Sequence, residues 1–456
     1  MSVKSQELKP TIDNLVKTIN KDSIDRNESL IKFVSLINTI DESCSIAIDG
    51  AWGDGKTFFV LQSKLLIDCL NSNISFDIST EEKNELLSFV KNKGLSPDDF
   101  EPQFCVYYDA WSNDNDIDPL LSLVYEIGKR SAVGFENINN KSLAEKIVAI
   151  ADFITDKSFN DLYDVFKSED PLQNLKQQKT IDALVSEYID SLLVERGNRL
   201  VVIVDELDRC SPSFAVQLLE RIKHFFNNDR VTFVFSINSN ELQHTIKKYY
   251  GENFNSARYL DRFFDLRINL PPANMEKYYL SIGAGNRMNS FDYARGLVAS
   301  KYAMSLREAE KYYKITSIAL AKAVERCNGW TFDDNLGKSF AYNIIAPLMI
   351  GMKMVDSKSY DDFVKGNNSS PLIELLKDDK RANRICYNLI NENESFIETE
   401  GKKLVVLSER LEYVYQTIFG TAKRDEDVAI GRCLFDKDIK TDILKKISMI
   451  SIFATY

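Results

Sequence analysis

The run Gly50-Ala51-Trp52-Gly53-Asp54-Gly55-Lys56-Thr57 sets glycines, a lysine and a hydroxyl at the spacing G-x-x-x-x-G-K-[ST]. That spacing suits polyphosphate chemistry. Glycines let the backbone turn tightly, so successive N–H groups converge on an anion. Lys56 would reach the β and γ phosphates, and Thr57 would hold Mg²⁺. Gly50 to Phe58 is the expected nucleotide-binding stretch. A second constellation lies downstream, where the apolar run Arg199 to Val204 ends in Asp205-Glu206. This is a Walker B pattern. Asp205 would hold Mg²⁺ through its water shell, and Glu206 would orient or deprotonate the attacking water. A strand ending in solvated acids is common by itself, and a lone glycine loop can be a chance turn. Two such motifs at the ends of two strands are far more specific. No Asn-Lys-x-Asp signature for guanine occurs, so ATP is the expected nucleotide.

These residues need a frame to hold them. Cys44 to Ile48 reads as a short buried strand running into the glycine loop, and Thr57 to Gln62 opens a helix. Asn27 to Ile37 has helical apolar spacing. Gln103 to Tyr108, Arg199 to Val204, Arg230 to Ile237 and Phe263 to Leu270 are further strand candidates. Helices are expected over Ser213 to Phe226 and Glu241 to Tyr250, with Asn238 as N-cap and Gly251 as the stop. Ile117 to Gly197 is mostly helical in pattern, with Ser168 to Lys179 read as a polar loop. Strands alternating with helices predict an α/β fold, a parallel sheet with helices on both faces. The ligand should lie at the C-terminal strand ends. After Pro271-Pro272 strand signals fade, and Ser305-Leu306-Arg307-Glu308 is a capping box that starts a helix. The expected organisation is a core over 1–272 with a helical insertion at about 112–198, a helical lid over 273–355 and a helical C-terminal region over 356–456.

Composition narrows the class. The chain has 456 residues, 44% of them hydrophobic and 27% charged, with a net charge of −11. That balance argues against general coating of nucleic acid. Seven dispersed cysteines read as reduced thiols in a cytoplasmic protein. Two histidines leave little for histidine triads or His-rich metal sites. The most apolar window, Ala341 to Val355, is interrupted and short, so a buried helix is expected and no membrane span.

The sequence resembles the KAP family of P-loop NTPases. Gly50 to Thr57 is similar to the family's Gly-x-Trp-Gly-x-Gly-Lys-Thr, with its unusual tryptophan. Tyr108-Asp109-Ala110-Trp111 resembles Phe-Asn-Ala-Trp. Asp205-Glu206-Leu207-Asp208-Arg209-Cys210 resembles Asp-Asp-Leu-Asp-Arg-Cys, with Glu206 in place of the second Asp. Tyr259-Leu260-Asp261-Arg262 resembles Tyr-Leu-Glu-Lys. The resemblance covers roughly residues 20 to 320. It implies an additional-strand ATPase core related to AAA-type enzymes, with ATP and Mg²⁺ as ligands. By position it implies that Asn238 is a γ-phosphate sensor and Arg307 a lid arginine. Arg209, Arg258 and Arg262 become finger candidates, acting in cis or from a neighbouring subunit of a homo-oligomer. Membrane helices found in many relatives are not expected here. The resulting expectation is a Mg-dependent ATPase coupled to a protein partner, in bacterial anti-phage defence. The alternative is an ATP-binding switch with negligible turnover. A nucleic-acid motor is a third reading that the acidic charge does not support.

Overall fold

The computed structural model describes residues 9–116, 118–132, 171–225, 228–275, 277–278, 290–327, 336–379, 381–421 and 425–451. The chain gathers into two compact units, Lys9–Ala273 and Asn274–Tyr456.

The first unit is a five-stranded parallel sheet. Its strands are β1 (Cys44–Asp49), β2 (Gln103–Asp109), β3 (Arg199–Asp205), β4 (Val231–Ile237) and β5 (Leu266–Asn269), in the order β2-β3-β4-β1-β5. Every residue of β3 and β4 is buried, which explains their unbroken apolar runs. Odd and even positions serve two different cores. Val201, Ile203, Val234, Ile46 and Ile48 pack with helices α1 (Ile12–Lys21), α2 (Asn27–Thr39), α3 (Lys56–Leu70) and α4 (Thr80–Asn92). Leu200, Val202, Val204, Phe233 and Phe235 pack on the other face. There they meet α5 (Pro119–Ala132), α6 (Pro171–Arg196), α7 (Pro212–Phe225) and α8 (Ser239–Tyr250). Each fully buried Val, Leu, Ile or Phe contributes about 1.5–3 kcal/mol, so these two cores hold the strand ends rigidly. A short helix, α9 (Ser256–Leu260), precedes β5. The alternation, the parallel sheet and helices on both faces are as expected.

Three details differ from the sequence reading. Residues 171–179 are helical, part of α6, where a loop was expected. Pro171 stands at the first helical position, and the Leu, Gln and Lys that follow are good helix formers despite their polarity. The last strand is shorter than the run from Phe263 to Leu270. Phe263 and Phe264 turn into the core, and the Asp265 carboxylate accepts from the Ser45 N–H at 2.7 Å. The C-terminal region is not purely helical. It carries two small sheets, Glu394–Ser395 with Lys403–Leu404 and Val428–Ile430 with Cys433–Phe435.

The second unit is otherwise helical. Helices α10 (Ser290–Lys301) and α11 (Leu306–Cys327) open it, and the Ser305–Glu308 capping box starts α11. Ala341 to Met352 is buried, as a π-helical turn running into an α-helix. Among the described residues, no helix is long and apolar enough to cross a membrane. Residues 133–170 of the expected insertion lie outside the described residues.

Candidate functional site

The glycine loop leaves β1 at the C-terminal edge of the sheet. Gly53 and Gly55 sit at φ 89° and 85°, a left-handed region that an L side chain enters at a cost. Gly50 is required for another reason. A Cβ there would stand 3.3 Å from Leu270 Cβ and 3.4 Å from Lys56 Cγ, so the loop backbone lies close against its own lysine. Asp54 braces the turn, its carboxylate accepting from the Ala51 N–H at 2.9 Å. Gly55 is the N-cap of α3, and no side chain caps that helix. The first N–H groups of α3 therefore face the loop, the arrangement that favours an anion. Lys56 is buried, and its ammonium donates to the carbonyls of Gly50 at 2.7 Å and Ala51 at 3.1 Å. Thr57 and Phe58 follow in the first turn of α3, half-buried.

One brace had no sequence signal. Arg26, the residue before α2, is buried and donates from Nη1 to the Asp54 carbonyl and from Nε to the Pro271 carbonyl, both at 2.7 Å. It ties the loop to the chain just past β5. Burial pulls its pKa down to about 10, against the opposing pull of Asp54, so it stays charged at neutral pH. Arg26→Ala removes two charge-assisted bonds and is expected to destabilise the first unit by about 2–4 kcal/mol. Chemical denaturation would measure this, and ATP affinity should fall with it. Arg26→Lys should not restore either, because a single ammonium lacks the fork that reaches both carbonyls. An unchanged denaturation midpoint would remove Arg26 from the loop's support.

The second constellation sits two strands away, across β4. Asp205 ends β3 and is 1% exposed. Its carboxylate accepts from the Tyr107 hydroxyl at 3.0 Å and the Glu206 N–H at 2.9 Å, and no cation pairs with it among the described residues. Burial and the Asp205 charge push the Tyr107 pKa upward, which keeps that hydroxyl a donor. A buried carboxylate served only by neutral donors is poised for a cation. Beside it, on the β4 residue in register with Asp205, Ser236 is fully buried, and its Oγ has no hydrogen-bond partner among the described residues. Ser236 continues the period of Val234, so both face the side of the sheet that packs on α3.

Glu206 follows at φ 60°, also left-handed. Burial and then the Asp205 charge raise its pKa above the ordinary carboxylate value, and Arg209 opposes them. Glu206 and Arg209 form an ion pair across the short 3₁₀ turn Leu207–Arg209. The Arg209 guanidinium lies 5.9 Å from the Trp52 ring centre and 5.4 Å from that of Trp111. Trp52 Nε1 donates to Asp208 at 2.5 Å. Neither tryptophan is core. Trp52 is 46% and Trp111 53% exposed.

The remaining expected residues are scattered. Asn238 directly follows β4, between the two constellations, but its side-chain amide oxygen caps α8, accepting from the Glu241 N–H at 3.4 Å. Arg258 and Arg262 are exposed near β5. Arg307 is exposed in the first turn of α11, in the second unit. Sequence reasoning missed Arg26, Tyr107 and Ser236. Only Ser236 left a trace, as a polar residue inside an apolar strand run.

Strand order and loop together define a P-loop nucleotidase domain, with β4 as the strand inserted between the loop strand and the acidic strand. The profile of the KAP family P-loop domain matches residues 9–280, and the chain belongs to that family. Nucleotide binding follows from that membership. No curated protein matches the sequence. Among solved structures, the Aeropyrum pernix ORC2 protein in ADPNP–ADP complexes is similar at 11% identity, covering 93% of this chain and 95% of that one. Its TM-score is 0.33, too low for any argument to rest on.

Proposed function

We propose that the first unit binds ATP with Mg²⁺ and hydrolyses it. The observation that carries this reading is the pair of carboxylates at the end of β3. One is buried without a cation, and the other has a raised proton affinity. The residues fit the ligands. The N–H groups of the loop and of the uncapped start of α3 would donate to phosphate oxygens, and Lys56 adds a positive charge. Thr57 and Asp205 hold the metal. Among the described residues no group of three or more His, Cys, Asp or Glu could hold a metal ion alone. That matches Mg²⁺, which keeps waters and shares itself with substrate phosphates. The bound cation would neutralise phosphate charge. Glu206 takes the proton of the attacking water. Asn238 is proposed to sense the γ-phosphate. Turnover would drive a change felt by a protein partner, and anti-phage defence in the cytoplasm is the setting proposed for it.

The test is phosphate release by the whole chain with ATP, in Mg²⁺ and in EDTA. Mg-dependent release supports the reading; background release in both, with ATP still bound, supports the switch. One observation favours that second reading, namely that Arg209 engages the Glu206 carboxylate.

Ser236 gives a further check. Its hydroxyl is proposed to meet a water of the metal shell. A buried unsatisfied hydroxyl costs about 1–3 kcal/mol, so Ser236→Ala should raise the melting temperature of the protein without ligand. The same variant should need more Mg²⁺ for half-maximal ATP binding. A lower melting temperature with unchanged Mg²⁺ dependence would assign Ser236 to packing alone.

A further inference from the structure

Glu206 is held by a chain of contacts that begins in the glycine loop. Trp52 lies between Gly50 and Gly53, so any rearrangement of the loop carries its indole along. That indole is bonded to Asp208 and lies against the Arg209 guanidinium. Trp111, just past β2, covers Arg209 at 5.4 Å. Arg209 in turn grips the Glu206 carboxylate. The turn is short, and the Arg209 N–H also donates to the Glu206 carbonyl at 3.1 Å, so guanidinium and carboxylate move as one piece. The contact with Trp52 joins this turn to a loop 156 residues away in sequence.

A carboxylate oxygen held by a guanidinium is not free to take a proton from water. Its lone pairs are occupied and its negative charge is compensated. Two indole faces favour a cation between them and keep the guanidinium from swinging into solvent. We propose that Arg209 is a positioning residue that restrains Glu206, and that Trp52 makes the restraint depend on the conformation of the glycine loop. This rests on the reading of Glu206 as the base for ATP hydrolysis. Phosphate seated in the loop shifts Trp52, loosens Arg209 and frees the carboxylate. The restraint confines turnover to the occupied loop.

Steady-state kinetics and intrinsic fluorescence test this on the whole chain. Arg209→Ala should raise kcat by about 3- to 10-fold at neutral pH, the order of one partly buried charged bond. KM for Mg-ATP should stay within about twofold, a split that rules out improved substrate binding. Arg209→Lys keeps the charge without the planar stack, so it should fall between wild type and Arg209→Ala. An unchanged or lowered kcat overturns the restraint.

The fluorescence arm needs no turnover. In a Trp330→Phe background the remaining indoles are Trp52 and Trp111. ATP should change their emission, and with Trp52→Phe added, at ATP concentrations that saturate that variant, most of the change should be absent. Unchanged emission on saturation with ATP overturns the coupling through Trp52, even if Arg209 tests as predicted. Phosphate release by Glu206→Gln at the wild-type rate would instead sink the underlying base assignment. The emission change would then still decide whether the loop and the Arg209 turn are coupled. If Arg209→Ala does not fold, Trp111→Phe and Arg209→Lys carry the same kinetic comparison.

Discussion

Lys56→Ala is expected to weaken ATP binding by about 100-fold or more. Truncating one partner of a buried charged contact costs about 2–5 kcal/mol. The lysine is 8% exposed and anchored to the loop's own carbonyls, so it is already ordered where phosphate would enter. Little entropy remains to be lost when ATP takes over its donors. The free protein should change as well. Without the ammonium, the Gly50 and Ala51 carbonyls lose a shared donor, and the loop should exchange its amide hydrogens faster. Titration with a fluorescent ATP analogue gives the affinity. A dissociation constant within about threefold of wild type would remove the loop from nucleotide binding.

Glu206→Gln is expected to bind ATP normally and to release phosphate about 10²–10⁴-fold more slowly, the span of general-base contributions. Glutamine keeps the shape and a hydrogen bond to Arg209 but cannot take a proton. Burial and Asp205 raise the pKa of Glu206, so it holds its proton to a higher pH than an ordinary carboxylate. A base must be deprotonated, so wild-type kcat should fall as pH drops through that raised value. Above it the rate should level off. The glutamine variant should lack this limb. Retention of the limb in Glu206→Gln would assign it to another group.

Much of the frame was legible because parallel strands buried on both faces are written as continuous apolar runs. β1 to β4 were read to within a residue or two, and Gly251 marked a real helix end. The glycine loop was legible because left-handed turns demand glycine. What escaped depends on the third dimension. β4 lies between β1 and β3, an order that strand patterns do not state and that only the family resemblance implied. The Arg26 brace joins residues 245 apart, and its type and local spacing carry no mark of that. Tyr107 looked like any strand aromatic until the register brought its hydroxyl to Asp205. The two tryptophans were ambiguous for a similar reason. Large aromatics are usually core, and only the placement of Arg209 between their rings shows why they stay near the surface. Residues 171–179 misled because their polarity resembles a loop, while their intrinsic helix propensity decided the outcome.

The Arg26 contact also sets how short a working fragment can be. A piece cut to begin at β1 would retain all five strands, both acids and the whole glycine loop. It would still lack the fork that pins Asp54 to the chain beyond β5. The minimal autonomous piece therefore starts before Arg26 and runs past Pro271, so the two ends of the unit are selected together. A protease that clips between Arg26 and Asn27 should loosen the site without touching a residue of the loop.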